Sequence, residues 1–538
     1  MVNLRIVEDR PTPKEVYNWR VYFSASIVAF AAVMIGYSAF IGTTISLPSF
    51  KEEFGLLQQN PSKLALISAN IVSIYQAGCF FGAFAGYPIG FFLGRKWGLV
   101  LVGFVFCIGA AIQCAASHKT GLGIMYAGRV IVGFCVGAAS NLAPIYISEV
   151  SPAAIRGRLI GLYELGWQIG AVIGFFINYG IDLHIPQSNK QWLISFAVQL
   201  IPGGMLTLGS LLIVESPRWL ASRDRNDQAL HNLAYLRNLS ADSDYVREEF
   251  EDITLALEAD RQKAGRGFVA PVRALFVSRQ LIKRLLLCVG LFVCQNGTGI
   301  NAINYYSPTV FKSIGVNGTS TALLTTGVFG IIKFMGAIVW LLFLVDRFGR
   351  RPLLLVGSIG GAFSMYYIGA YIAIADPASN VSDTMSSGGI SAIAFFYVWT
   401  CFYGPTWNGT PWVVSAEVFP QHVRPASQAF VAASNWLFAF IVARFTPQMF
   451  ETMKFGVYLF FASFMILSLA FVWFFLPETR LVPLERMNEL FSRDLPPWRA
   501  HDVVMSQARK ANLGHASHGT ENESGRPSVV SDSDKRSQ

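Results

Sequence analysis

The chain has 538 residues, of which 53% are hydrophobic and only 14% charged, with a mean hydropathy of +0.44. A soluble protein is usually about 25% charged, so this composition excludes an ordinary soluble domain and indicates a polytopic membrane protein. The net charge of +9 does not imply nucleic acid, because the basic residues sit mostly in links between apolar runs, where orientation in a bilayer explains them.

The first twenty residues carry Arg5, Glu8, Asp9, Arg10 and Lys14 with Pro11 and Pro13, and lack the apolar core of a cleaved signal peptide. A hydrocarbon core of about 30 Å takes roughly 20 helical residues. On that measure twelve apolar runs are expected to span: 21–47, 66–93, 97–117, 122–148, 159–181, 192–214, 284–311, 321–345, 352–375, 389–418, 427–450 and 455–476. The expected organisation is a polar segment 1–20, a six-helix bundle 21–214, a charged helical linker 215–283, a second six-helix bundle 284–476 and a tail 477–538. The linker contains helical patterns at Asp227–Arg237 and Tyr245–Lys263. The tail is amphipathic over Leu484–Phe491 and is expected to be disordered from about 505.

Arg95, Lys96, Arg156, Arg158, Arg347, Arg350, Arg351, Arg424 and the linker fall on one side, which places both termini and the linker in the cytosol. The opposite loops hold few charges, such as Lys51, Asp182 and Asp383. Asn317-Gly318-Thr319 and Asn380-Val381-Ser382 are the glycosylation acceptors that would face outward. Asn296-Gly297-Thr298 and Asn408-Gly409-Thr410 match the pattern but lie inside the membrane. The seven cysteines all fall in apolar runs without paired spacing, so neither a disulfide framework nor a metal site is expected. His515 and His518 form an isolated pair in the polar tail, read as chance.

The two bundles repeat. Gly94-Arg95-Lys96 matches Gly349-Arg350-Arg351. Glu149-x-x-Pro152-x-x-x-Arg156 matches Glu417-x-x-Pro420-x-x-x-Arg424, and Glu215-Ser216 matches Glu478-Thr479. The offsets are 255, 268 and 263 residues. Ordered matches at nearly constant offset indicate a duplicated six-helix unit, and two such units around a central site describe alternating access. Arg95, Glu149, Arg156, Glu215, Asp346, Arg350, Glu417, Arg424 and Glu478 are expected to form a cytosolic gate, in inter-helix ion pairs that tie the halves together when the inner side is closed. The alternative is a solvated charged surface. The first half departs from the second, with Phe91-Phe92 where the second has Asp346-Arg347.

Helix packing is expected along glycine ladders: Gly78, Gly82, Gly86 and Gly90; Gly133 and Gly137; Gly166, Gly170 and Gly174. Gln295–Tyr306 places amides at 295, 296, 301 and 304, with two tyrosines, inside an apolar run. An unpaired amide in hydrocarbon costs roughly 4–8 kcal/mol on a cyclohexane scale, so these groups are expected to line a wet cavity or bond to other helices. On an uninterrupted helix 297, 301 and 304 would share a face, overlapped by 298 and 305, and the glycines would admit a neighbouring backbone.

Arg129, Glu164, Lys333 and Arg444 are charges within apolar runs, where function is the default expectation. Glu164 and Gln168 share a helix face. Lys333 and Arg129 could neutralise a substrate carboxylate or pair with Glu164, and Arg444 could snorkel from near a helix end. Tyr403-Gly404-Pro405-Thr406-Trp407-Asn408-Gly409-Thr410-Pro411-Trp412 should break its helix into a hinge and binding wall, with tryptophans to stack on a ring. No phosphate loop, catalytic triad or metal cluster is evident, so ATP-driven pumping is not expected.

Together Gly94-Arg95-Lys96, Pro144 to Glu149, Glu215 to Arg218, Gln295 to Tyr306, Asp346 to Arg351 and Pro477-Glu478-Thr479 resemble the sugar porter family of the major facilitator superfamily, over roughly residues 18 to 490. Glu8 to Lys14, Tyr163 to Gln168, Trp407 to Trp412 and Arg444 to Gln448 resemble its fungal quinate permease subgroup. The resemblance implies an all-α membrane protein of twelve transmembrane helices in two bundles, the major facilitator fold, with a cytosolic helical linker. It also implies substrate contacts from Gln295, Asn296, Asn301, Trp412 and Asn435. The family's fifth-helix glutamine falls on Glu164, with Gln168 one turn on, and its eighth-helix asparagine falls on or beside Lys333. An acid and a base thus enter a sugar-type site, which suits a ring bearing a carboxylate.

Proton-coupled relatives carry Gly-Tyr-Asp in the first helix, the Asp facing the fourth-helix arginine. Here the run is Gly36-Tyr37-Ser38, so Arg129 lacks that partner. Either Glu164 substitutes in coupling, or coupling is lost, or the residue is missing from the sequence. The resulting expectation is a multi-pass plasma-membrane permease importing quinate, a monomer in the lipid bilayer, with no cofactor beyond protons as co-substrate. The alternatives are a neutral hexose or polyol transporter and a transporter-like nutrient receptor.

Overall fold

The computed structural model describes residues 12–265, 267–316, 318–377, 386–480, 482, 487–491 and 496–506. The acceptors Asn317 and Asn380, the tail beyond 506 with His515 and His518, and the side chain of Asp346 lie outside what is described.

Among the described residues, eleven helices are long and apolar enough to cross a membrane. The first six are Lys14–Ser46, Pro61–Phe92, Arg95–Cys114, Leu122–Val150, Ala153–His184 and Asn189–Leu212. The seventh to ninth are Arg279–Ile314, Thr319–Leu344 and Arg350–Ala375, and the last two are Arg424–Met453 and Gly456–Phe475. Between the ninth span and Arg424–Met453 lies a broken tenth, helical over Ser387–Tyr403 and Thr410–Val418. Two bundles of six result, and the stretch between them forms the helices Pro217–Ser222, Asn226–Arg237, Asp244–Ala264 and Ala270–Val277.

Glycine sets the close crossings. A Cβ on Gly78 or Gly82 of the second span would run into the carbonyls of Val130 or Phe134 on the fourth. A Cβ on Gly133 or Gly137 would meet the Tyr75 or Cys79 carbonyl in return. Gly170 abuts the Val33 carbonyl in the same way, bringing the fifth span onto the first. These approaches give the helices dispersion contacts that lipid, itself apolar, would not surpass by a hydrophobic term. The second span also packs on the eleventh, and the fifth on the eighth, so the halves meet along two seams.

The repeated motifs converge inside each half. Gly94 and Gly349 hold nearly the same left-handed φ, 91° and 93°, at the starts of the third and ninth spans. That turn aims the next backbone N–H groups at a carboxylate. Glu215 accepts from Arg95 N at 2.9 Å and Lys96 N at 3.1 Å, while Glu478 accepts from Arg350 N at 3.0 Å and Arg351 N at 2.9 Å. Each carboxylate therefore satisfies free donors at the positive end of a helix. Arg95 donates to both oxygens of Glu149, at 2.9 and 2.8 Å, and Arg350 donates to Glu417 at 2.7 Å. Ser216 and Thr479 complete the equivalence, donating to Glu149 and Glu417 at 2.5 and 2.8 Å. Burial pushes the Glu215 carboxyl up, against the pull of the backbone donors and Arg95.

These bonds correct the expectation that the pairs tie the halves together, because each joins helices of one half. The glycine turn directs the arginine to the fourth or tenth span of its own bundle. Across the halves the charges that approach are Arg156, Arg218 and Arg424, with Asp260 of the linker among them. Asp260 accepts from Arg218 at 3.2 Å. The linker also inserts Phe268 beside Tyr87, Phe91 and Phe92, with Tyr87 donating to the Phe268 carbonyl at 2.9 Å. Phe91 and Phe92, which stand where the second half has Asp346 and Arg347, thus form an aromatic seat for the linker.

Candidate functional site

The seventh span does not run through as one helix. It stops at Gly297, Gly299 takes a left-handed φ of 86°, and a second helix starts at Ile300. A second irregularity follows at Tyr306, two residues before Pro308, whose ring forbids a regular hydrogen bond there. The break changes the face geometry expected of Gln295–Tyr306. Gly297 and Gly299 face the rings of Phe464 and Phe461 on the twelfth span rather than a neighbouring backbone. Thr298 is buried and bonds back to Gln295 O at 2.7 Å. Gln295, Asn296, Ile300, Asn301, Asn304 and Tyr305 are turned together toward a cavity between the halves.

This cavity has a volume of about 60 Å³, room for a few waters at roughly 10–15 Å³ each. The first half lines it with Ile35, Gly36 and Ala39 and, from the fifth span, Glu164 and Trp167. The second half adds Lys333, Tyr403, Asn408, Trp412, Asn435 and Trp436. Trp167 and Trp436, from opposite halves, lie parallel at 6.3 Å between centroids. Trp412 meets Phe292 edge-on at 4.7 Å.

The amides are already partly committed. Gln295 Nε2 donates to the carbonyls of Trp407 at 2.7 Å and Asn408 at 2.9 Å, which the break of the tenth span leaves without helical partners. Asn296 Nδ2 donates to Phe292 O at 2.8 Å and Asn435 Oδ1 at 3.2 Å, and Asn301 donates to Asn296 Oδ1. The chain of amides therefore links the seventh and eleventh spans and offers remaining lone pairs and N–H groups to hydroxyls. Trp407 belongs elsewhere. It is fully buried and donates to Leu354 O at 3.1 Å and Ser358 Oγ at 3.0 Å, fixing the break to the ninth span. Of the two tryptophans expected to stack on a ring, only Trp412 lines the cavity.

Two charges face this space. Lys333 is 3% exposed and donates to Asn304 Oδ1 at 3.2 Å. The eighth span carries it past the break in the tenth, where a Cβ on Gly404 would lie 3.3 Å from Lys333 O. Glu164 Oε1 accepts from Gln168 at 2.9 Å and from Asn408 Nδ2 at 2.8 Å, the latter a bond between the halves. Gln168 itself lies behind Glu164, away from the cavity lining.

Arg129 does not reach Glu164 or the cavity lining, contrary to the pairing weighed from the sequence. The fourth span turns it toward the second, where it lies 4.8 Å from the Tyr75 ring centre and donates through Nε to Ile71 O at 3.1 Å. Its Nη1 and Nη2 are buried without hydrogen-bond partners. Ser38 donates to the Tyr75 hydroxyl at 2.7 Å, on the far edge of the ring that Arg129 faces. Arg444 is half-buried beside Phe445.

Asn304 lines the cavity as expected of the amides of its stretch, although the family resemblance does not assign it a substrate contact; Asn408 and Trp167 were not assigned contacts individually. The signal for Asn304 was its position one helical turn from Asn301. Asn408 was an amide within a stretch already read as broken, and Trp167 adjoined Gln168.

The family profile described as "Sugar (and other) transporter" matches residues 24–491. A "Probable quinate permease" of Aspergillus niger is 56% identical over 94% of each chain. The "Quinate permease" of Emericella nidulans is 56% identical over 94% of this chain and 95% of its own. Among solved structures, the proton:xylose symporter XylE bound to 6-bromo-6-deoxy-D-glucose, a major facilitator superfamily protein, superposes with a TM-score of 0.72 at 25% identity. It covers 88% of this chain and 99% of XylE. A partially occluded inward-open form of XylE from E. coli gives 0.72 at 24% identity, over 86% and 99%.

Proposed function

The chain belongs to the sugar transporter family, and from that premise we propose that it is a plasma-membrane permease that imports quinate together with protons. Quinate is a polyhydroxylated ring bearing a carboxylate. Its hydroxyls suit the amides Gln295, Asn296, Asn301 and Asn435, and its ring suits Trp412. The observation that carries the reading is Lys333, a buried ammonium in a cavity whose other polar groups are amides, the polar edges of aromatic side chains and one carboxylate. A neutral sugar gives such a group nothing to neutralise, whereas a carboxylate forms a charge-assisted hydrogen bond with it. The naming of two 56%-identical relatives as quinate permeases supports the same substrate.

In this reading the Arg/Glu-rich end is cytosolic, with both termini on that side. The halves rock about the cavity, each kept rigid by its own Arg95–Glu149–Glu215 or Arg350–Glu417–Glu478 cluster. The cavity of about 60 Å³ lies between the halves and widens as they part to load. The neutral polyol reading draws on the amides alone and leaves Lys333 with Glu164 as its counter-charge but no partner on the substrate.

The test is uptake of labelled quinate at pH 5 and 7 in a host lacking its own quinate uptake. Entry that is faster at pH 5 is expected. Lys333→Gln should reduce quinate entry by tenfold or more, the loss of about 1.4 kcal/mol or greater in a buried charge-assisted bond, and should spare a neutral cyclitol. Hexose entry in place of quinate would overturn the substrate. Ligand-dependent signalling without any transport would make the protein a receptor.

A further inference from the structure

Among the described residues that line the central cavity, Glu164 is the one carboxylate and Lys333 the one cation. They stand on opposite halves, the fifth and eighth spans, and lie within electrostatic reach of each other. Their direct partners are separate: Asn304 for Lys333, and Gln168 with Asn408 for Glu164. The other titratable groups beside Glu164 or in the cavity lining are Tyr403 on the tenth span, Tyr163 on its own and Tyr305 on the seventh, with Arg129 behind Tyr305 and outside the lining. The three hydroxyls are neutral at physiological pH. The charge of the closed cavity is therefore the sum of Glu164, Lys333 and whatever the cavity holds.

On the substrate reading above, we infer that Glu164 stands in for the substrate's carboxylate and carries the proton that moves with it. Closing the halves removes the cavity from water, so occupancies with an uncompensated charge close rarely. Empty, with Glu164 ionised and Lys333 charged, the cavity is neutral. Loaded with a carboxylate while Glu164 stays ionised, it carries an excess negative charge. Loaded with Glu164 protonated, it is neutral again, because the incoming carboxylate takes over Lys333. The proton comes from water on the loading side and sits on a Glu164 oxygen. It leaves to water on the far side when the substrate departs and Lys333 again faces Glu164. One proton thus accompanies one carboxylate, and the cycle moves no net charge. Asn408 is the positioning residue: as a donor from the opposite half it favours the ionised carboxylate in the empty state and is freed when Glu164 becomes neutral.

The first measurement needs only the wild type. Purified full-length protein in weakly buffered detergent solution, given quinate near neutral pH, should take up about one proton per quinate bound, read with a pH indicator. Quinate binding without proton uptake overturns the inference while leaving the substrate reading intact. No quinate binding or uptake removes the substrate reading itself. In proteoliposomes, Glu164→Gln leaves the empty cavity with Lys333 uncompensated but the loaded cavity neutral. Net quinate uptake should then fall at least tenfold and lose its dependence on pH, with quinate-for-quinate exchange falling far less. Proton-driven uptake retained in Glu164→Gln refutes Glu164 as carrier. Loss of quinate binding in a monodisperse Glu164→Gln sample also refutes it, since Glu164 would then hold the substrate rather than yield Lys333 to it. Asn408→Ala should shift the pH profile of net uptake upward, and Asn408→Asp should not restore it.

Discussion

Replacing Gln295 by leucine separates two roles that its position combines. The Gln295 amide nitrogen serves the carbonyls of Trp407 and Asn408, at 2.7 and 2.9 Å. A buried carbonyl left without a partner costs about 1–3 kcal/mol, so losing both bonds could cost roughly 2–6 kcal/mol. Asn408 borders the cavity, and a water admitted there can rebond its carbonyl. Trp407 is fully buried against the ninth span and has no such recourse. The expected loss is therefore about 2–3 kcal/mol, from the lower half of that range. For a cooperative unit the size of one bundle this corresponds to a melting point lower by roughly 5–10 °C. Asn296→Ala provides the contrast. Its bonds go to Phe292 O, which the helix already serves, to Asn435 at 3.2 Å and to Asn301, whose amide borders the cavity where water can replace the lost partner. Its melting point should fall by less than half as much. The assay is thermal unfolding of both variants in the same detergent, without substrate. Equal shifts, or a shift near zero for Gln295→Leu, would show that the break in the tenth span is not held by Gln295.

Gly82→Val forces a side chain into the Phe134 carbonyl, whereas Gly204 on the sixth span has nothing within 4 Å of its would-be Cβ. Folded yield by size-exclusion chromatography should collapse for the first and stay level for Gly204→Ala, which could gain up to about 1 kcal/mol in helix propensity. Arg95→Lys loses the two-point contact with Glu149 and the bond to Gly90 O at 2.8 Å. A loss of about 1–3 kcal/mol is expected from thermal unfolding, because an ammonium cannot reproduce the planar fork. An unchanged melting point would mean that the cluster is a solvated surface feature.

The repeated motifs were legible because their chemistry is local: a glycine turn, a helix start and a carboxylate recur wherever the half is copied. The break in the tenth span was legible for a similar reason, since Pro405, Gly409 and Pro411 cannot sustain regular helix bonding. The partners were less so. Arg95 and Arg350 were expected to reach across the halves, but the backbone turn at Gly94 and Gly349 points each into its own bundle. A 3.6-residue period likewise misplaced Gly297 and Thr298, because Gly299 in a left-handed conformation resets the phase of the helix after it. Arg129 shows a different limit. Its burial could be read from an apolar run, but its direction depends on how the fourth span rotates against the glycines of the second. Asn408 is an amide that only folding brings to Glu164, 244 positions away in sequence.

The paired clusters at the starts of the third and ninth spans have a consequence for assembly. Each bundle is fastened by groups that it supplies itself, with Glu215 arriving at the end of the sixth span and Glu478 at the end of the twelfth. The first bundle can therefore be bolted shut on the ribosome before the seventh span is made. Severed in the linker and co-expressed as two chains, the halves have the means to fold separately and then meet along the second–eleventh and fifth–eighth seams.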